Sequence, residues 1–288
     1  MAVQLLVALI ALAVLHTWPR LAQRPDDGMF RRWVLQLTET SGYARAALAV
    51  LPPVILCVVI WALLGHTPTG PWLQALFALA VLMYCLGPHE FTAGLEAILV
   101  APDLSSRVAA AQHLSDDGSV VGWDARSLGT AIVYSALRRR FAVLLWFFVL
   151  GPAGALAYRL LQLLARDPAL QRTEAEDAPR YLANAADWVP AQLLTFTLAL
   201  VGHWEAVIAA WRVWRSHAAP TSWYRDEPAF LGAAAQADVR MDLSEDDAPG
   251  VERYDPLVEL VRLRGTLLRA LLGWLSVVAL IVIGSLLR

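Results

Sequence analysis

All 23 basic side chains of this chain are arginine; its 288 residues contain no lysine. That excludes lysine nucleophiles and Schiff-base chemistry. Cysteine is almost as scarce. Cys57 and Cys85 are alone, each inside an apolar run. Two isolated thiols give no disulfide framework and no paired-thiol metal pattern, and they read as small buried hydrophobes. Charged residues make up only 17% of the chain, where a soluble domain carries about a quarter. The formal net charge of −2 offers no basic surface for nucleic acid. No P-loop, zinc-site spacing, GxSxG elbow or dinucleotide fingerprint is present. The sequence names no cofactor and no metal site.

What the chain has is apolar length. Hydrophobic residues make up 58%, and the mean hydropathy is +0.52. Lipid is therefore expected to be part of its solvent. The fold class expected is all-α: a polytopic membrane helix bundle that forms one integral membrane domain over residues 1–288. Six segments are long enough to cross or enter a bilayer: 2–18, 46–64, 72–86, 141–164, 188–210 and 267–287. The second, fourth and sixth approach or exceed the ~20 apolar residues of a clean span. The first and third are short, and the fifth carries His203 and Glu205 inside its run. The count expected is thus about six, between four and six. The first segment has no basic residue ahead of it, so it reads as a retained membrane segment rather than a cleaved signal.

The arginines orient the bundle. Basic loops stay cytoplasmic. With six spans, 18 of the 23 arginines fall on one side: 17 in the loops 19–45, 87–140 and 211–266, and Arg269 at the near end of the sixth segment. Both termini then face the periplasm. The loops are expected to be ordered. Phe91, Leu95, Ile98 and Leu99 recur at helical spacing. Residues 228–240 are alanine-rich and helix-prone. The acidic run 241–255, with Pro249-Gly250, reads as an exposed linker.

Two stretches carry polar residues in apolar surroundings. The first runs from Trp146 through Gly151-Pro152-Ala153-Gly154 to Tyr158-Arg159. Proline removes a ladder hydrogen bond and glycine loosens the helix, so a break is expected there. Arg159 lies beyond it, at a depth where a charge must find a partner or water. The second runs from Asp187-Trp188-Val189-Pro190 to Gly202-His203-Trp204-Glu205 and Trp211. Asp187 fits a helix N-cap with Pro190 in the first turn. Alternatively Asp187, His203 and Glu205 mark a polar cleft. His203 and Glu205 are two apart and point away from each other on a helix, so they are no metal face. The basic triplet Arg138-Arg139-Arg140 reads either as a topology anchor or as a contact for a phosphate or lipid head group. His89-Glu90 reads as a helix start. Residues 217–224 form the loop most suited to a specific role, while Trp204, Trp211 and Trp214 read as interfacial aromatics.

The run DWVPAQL, then LVGHWE, then AAW, resembles the AmpE family, inner-membrane proteins linked to the AmpD amidase. Asp187, Trp188, Pro190, Leu193, Gly202, His203, Glu205 and Trp211 match its pattern at the right spacing. The resemblance is strongest over residues 130–240. It implies a bacterial inner-membrane regulator of peptidoglycan recycling and β-lactamase induction, with a muropeptide-type or lipid-linked ligand as a partner beside the bilayer. More distantly, Trp146 to Arg159 and Trp188-Val189-Pro190-Ala191 are similar to the CbiB/CobD membrane synthases of cobalamin synthesis. The acidic motif of those synthases falls on Tyr134, Ser135 and Arg138 here, and their later aspartates fall on Ala183 and Asn184. Arginine stands where a magnesium site needs oxygen anions, which implies that the synthase chemistry is lost. A membrane-embedded enzyme with changed chemistry stays as the alternative to a regulator. The residues expected to line a ligand cleft are Arg159, Asp187, Trp188, His203, Glu205 and Tyr158. Arg159 and Asp187 are expected to face each other.

Overall fold

The computed structural model describes residues 2–18, 27–37, 41–86, 91–115, 118–171, 177–217, 224–225, 227–245 and 256–286. Among them every regular element is helical. The helices are α1 (Ala2–Thr17), α2 (Gly28–Gln36), α3 (Gly42–Gly65), α4 (Gly70–Leu86), α5 (Phe91–Val100), α6 (Leu104–Gln112), α7 (Ala125–Ala136), α8 (Ala142–Arg166), α9 (Asp177–Val201), α10 (Trp204–His217), α11 (Ala229–Glu245) and α12 (Pro256–Leu286). A π turn, Leu137–Phe141, joins α7 to α8.

Three stretches are long and apolar enough to cross a membrane: Gly42–Gly65, Ala125–Arg166 and Pro256–Ser285. At 1.5 Å per residue α3 alone reaches about 36 Å, more than a hydrocarbon core. Its flanks stay apolar and open. Leu48, Leu51, Ile55, Leu56, Val59 and Leu63 are all exposed, as a lipid-facing helix requires. Helices α1 and α4 are apolar but shorter. The expected fifth segment is not one helix. Gly202-His203 divides it, and α9 starts well before it, at Asp177. Within the 87–140 region α5, α6 and α7 are helical, and α7 continues through Arg138–Arg140 into α8. Three consecutive arginines masked that continuity in the sequence; Leu128, Ile132, Val133 and Leu137 beside them are buried as a helix stripe.

The chain forms two compact units. The first holds Met1–Glu90, Ala142–Ala183 and Val278–Arg288. Within it α3 packs on α4 and α8, and α1 packs on α4 and α8. Phe30, Val34, Ala46, Ala49, Leu160, Leu163 and Leu170 form a shared core. Alanines at 46 and 49, on one face of α3, let α8 approach closely. The expected break in α8 is present: Gly151 has φ +71°, ψ −159°, a conformation open essentially to glycine.

The second unit holds Phe91–Phe141 and Asn184–Val277. There α5 packs on α6, α7 on α11, and α10 on α11. The stripe Phe91, Leu95 and Ile98 is buried as its spacing predicts. Asp124 caps α7, accepting hydrogen bonds from the backbone N–H groups of Arg126 (3.1 Å) and Ser127 (2.9 Å). The alanine-rich stretch forms α11, which takes in the first residues of the acidic run, to Glu245. The rest of that run, His89-Glu90 and 218–223 lie outside the described residues.

Candidate functional site

A helix stacks residues three, four and seven apart on one face. On α7 and the π turn that face carries Ser127, Thr130, Ala131, Tyr134 and Arg138. They line one side of a cavity of about 320 Å³, with Arg126 at the start of the row. Ser115, Ser119, Val120, Val121 and Glu227 close other sides. The wall is mixed: hydroxyls in a row, a few aliphatic groups and three charged side chains. A cavity of this size suits a small molecule.

Arg138 organises its inner end. Its Nε donates to Asp187 Oδ2 (3.3 Å), and its Nη2 donates to Glu227 Oε1 (2.7 Å). The guanidinium also lies 4.9 Å from the centroid of the Tyr134 ring, within cation–π range. Asp187 has no exposed surface. A carboxylate at such a position survives only when paired and hydrogen-bonded. One turn back on α9, Asn184 Nδ2 donates to the Arg225 carbonyl (3.0 Å), which fixes the backbone two residues before Glu227.

Asp187 is therefore no N-cap, because α9 begins ten residues before it. Arg159 has its own ion pair in the first unit. Arg159 Nη2 donates to Asp27 Oδ2 (3.2 Å), and the Tyr84 hydroxyl donates to Asp27 Oδ1 (3.0 Å). Arg159 and Asp187 each have an ion-pair partner within their own unit. Neither pair is marked by local spacing, since Asp27 and Asp187 lie 132 and 49 residues from their partners. Tyr158, beside Arg159, is buried.

His203 is engaged in the second unit. Its backbone N–H donates to Asp238 Oδ1 (2.7 Å), and its Nδ1 lies 3.3 Å from the same oxygen. Asp238 is 1% exposed, and its Oδ2 has no hydrogen-bond partner among the described residues. It acts as the cap that starts α10. Gly202 is the glycine this requires, because a Cβ there would collide with the Asp238 carboxylate. Glu205 lies in the exposed first turn of α10, and Trp188 is half-buried on α9. His203 precedes α10 rather than sharing a helix with Glu205, and the two differ in surroundings.

The rest of the arginine triplet turns inward too. Arg139 donates to the His113 carbonyl (2.8 Å). Arg140 donates to Thr92 Oγ1 (2.9 Å) and lies 5.7 Å from the Phe91 ring centroid. The triplet is anchored in protein at each residue. Trp211 and Trp214 also pack internally, Trp211 on Phe196 with its Nε1 on Gln192, and Trp214 against Phe230.

Sequence reasoning missed Asp27, Tyr84, Glu227 and Asp238. Asp238 left one trace: a lone carboxylate in the alanine-rich stretch 228–240. Among the described residues no three histidine, cysteine, aspartate or glutamate side chains gather to hold a metal ion. No family model, curated protein or solved structure matches this chain.

Proposed function

We propose that this chain is a multi-pass inner-membrane regulator of the AmpE type that recognises a small polar ligand in its second unit. The ligand class that the family resemblance suggests is muropeptide-type or lipid-linked. The observation that carries this reading is the cavity whose inner end is Arg138 held by the fully buried Asp187. Asp187 opens the motif on which the resemblance rests, and it bears on the cavity through Arg138. The three long apolar helices support a membrane location, and the arginine bias supports six spans with loops 87–140 and 211–266 cytoplasmic.

Two experiments test this. Deleting the gene in its host should change β-lactamase induction by an inducing β-lactam while leaving uninduced growth intact; unchanged induction would overturn the regulatory role. Reporter fusions after Arg180 and after Asp247 should report opposite sides of the membrane. Finding both on one side would overturn the six-span arrangement.

A second reading, a membrane-embedded enzyme on a lipid-linked or nucleotide substrate, draws on the position of the cavity. It lies against Tyr134 and Arg138, where the similar synthases carry their acidic motif. ATP-dependent coupling of aminopropanol phosphate by the pure protein would favour this reading. Without the carboxylates of that motif, no such coupling is expected.

A further inference from the structure

We propose that Glu227 is a resident competitor in this cavity, occupying the place of an anionic group on a small hydroxyl-bearing ligand that Arg138 recognises. The inference rests on reading the cavity as a ligand site and adds the ligand's chemistry and a device that gates it.

The two carboxylates on Arg138 are unequal. Asp187 is fully buried on α9 and is a permanent part of the interior. The Glu227 side chain is 40% exposed and sits in the non-helical residues just before α11. It lines the cavity and makes the shorter contact, 2.7 Å to Nη2. An exposed carboxylate returns to water at little cost, whereas a buried one does not. Of the two, Glu227 is the exchangeable partner.

Charge counting agrees. Glu227 is the one anion among the three charged side chains that line the cavity. With it swung into solvent, the charged groups left on the wall are the two cations Arg126 and Arg138, which favours a carboxylate or phosphate group in the space. Arginine suits both, because its planar fork donates two parallel hydrogen bonds to either. The rest of the wall describes the ligand's body. Ser127, Thr130 and Tyr134 lie in one row beside Arg138, and Val120 and Val121 add aliphatic surface to the wall. A body that carries both hydroxyls and carbon surface, as a sugar ring does, fits such a wall.

The test is binding to the full-length protein in detergent, by calorimetric titration, with four probes: glucuronate, glucose 6-phosphate, glucose and inorganic phosphate. At least one sugar anion should bind, and glucose and free phosphate should bind more weakly. Glu227→Gln, which keeps the shape and removes the competing charge, should tighten the sugar anion about fivefold or more, the factor by which a mostly closed population masks intrinsic affinity. Arg126→Ala should weaken it. Glu227→Gln binding no tighter than the parent overturns the inference and leaves the cavity a ligand site. Glucose or free phosphate binding as well as the sugar anions overturns the ligand class. Failure of every probe to bind to either protein overturns both the inference and the ligand-site reading. The induction phenotype is read separately and does not enter these outcomes.

Discussion

Two largely enclosed arginines, one in each unit, solve the same problem differently. Arg159 reaches Asp27, whose other oxygen is held by Tyr84. That arrangement ties α4, α8 and the start of α2 together, and none of its three residues lines the cavity. Arg138 also takes one carboxylate, Asp187, but adds a second, Glu227, at the edge of a polar cavity. A buried ion pair by itself is weak evidence of function, since it can be neutral for stability against an apolar replacement. The contrast shows what distinguishes a tie from a site: not the buried charge, but a surplus partner beside empty space.

The comparison can be broken most forcefully at Asp187. Asp187→Ala should cost about 3–5 kcal/mol, because it leaves Arg138 buried with half its compensation. The double variant Asp187→Leu/Arg138→Met should recover much of that loss in thermal unfolding in detergent. A single variant as stable as the parent would remove the pair from the interior. Gly202→Ala comes next. Its Cβ meets the Asp238 carboxylate, and overpacking there should cost about 2–3 kcal/mol. Adding Asp238→Ala should make the penalty less than additive, and strict additivity would separate the two residues.

Asp27→Asn sharpens the other side of the comparison. It keeps an acceptor for Tyr84 and removes only the charge on Arg159, so it should cost about 1–2 kcal/mol. It should leave binding of the sugar anion to the second unit unchanged. A shift in that affinity would mean that the tie and the site are one system. The smallest effect is expected at Asp124. Asp124→Ala should cost about 1 kcal/mol as a lost N-cap. Hydrogen bonds from the Ser127 side chain and backbone hold the Asp124 carboxyl below the usual carboxylate range. Its contribution is therefore complete above the ordinary carboxylate pKa and fades as pH falls through the lowered one. Parent and variant should converge in stability under acid, and a gap that persists there would contradict the cap.

Much of the helical architecture was legible. The stripe at Phe91, Leu95 and Ile98, the alanine-rich α11 and the break at Gly151-Pro152 follow from spacing and backbone chemistry alone. The boundaries of the polar helices were not. Asp187 has the side chain of an N-cap and Pro190 the position of a first-turn proline, yet α9 runs on both sides of them because its buried face, Ala183, Ala191, Leu194 and Leu198, continues across. The candidate site was half visible. Arg138 and Asp187 stood out as charges in apolar sequence, but their pairing is a tertiary event across 49 residues. Glu227, in an ordinary Asp-Glu-Pro stretch, carried no signal. Local pattern records which residues are costly to bury, not which partner offsets the cost.

The break in α8 has an electrostatic consequence of its own. Peptide dipoles add along an unbroken helix until its ends carry about half an elementary charge each. At Gly151 the addition stops. The part before it ends in carbonyls, and the part after it begins with Pro152, the residue best suited to a first helical position. A negative end and a positive end therefore lie one residue apart within the same apolar stretch. At that separation the two largely cancel. A span of α8's length thus divides into two short dipoles, and the charge expected at the middle of a discontinuous helix is internally balanced before any ion or side chain approaches it.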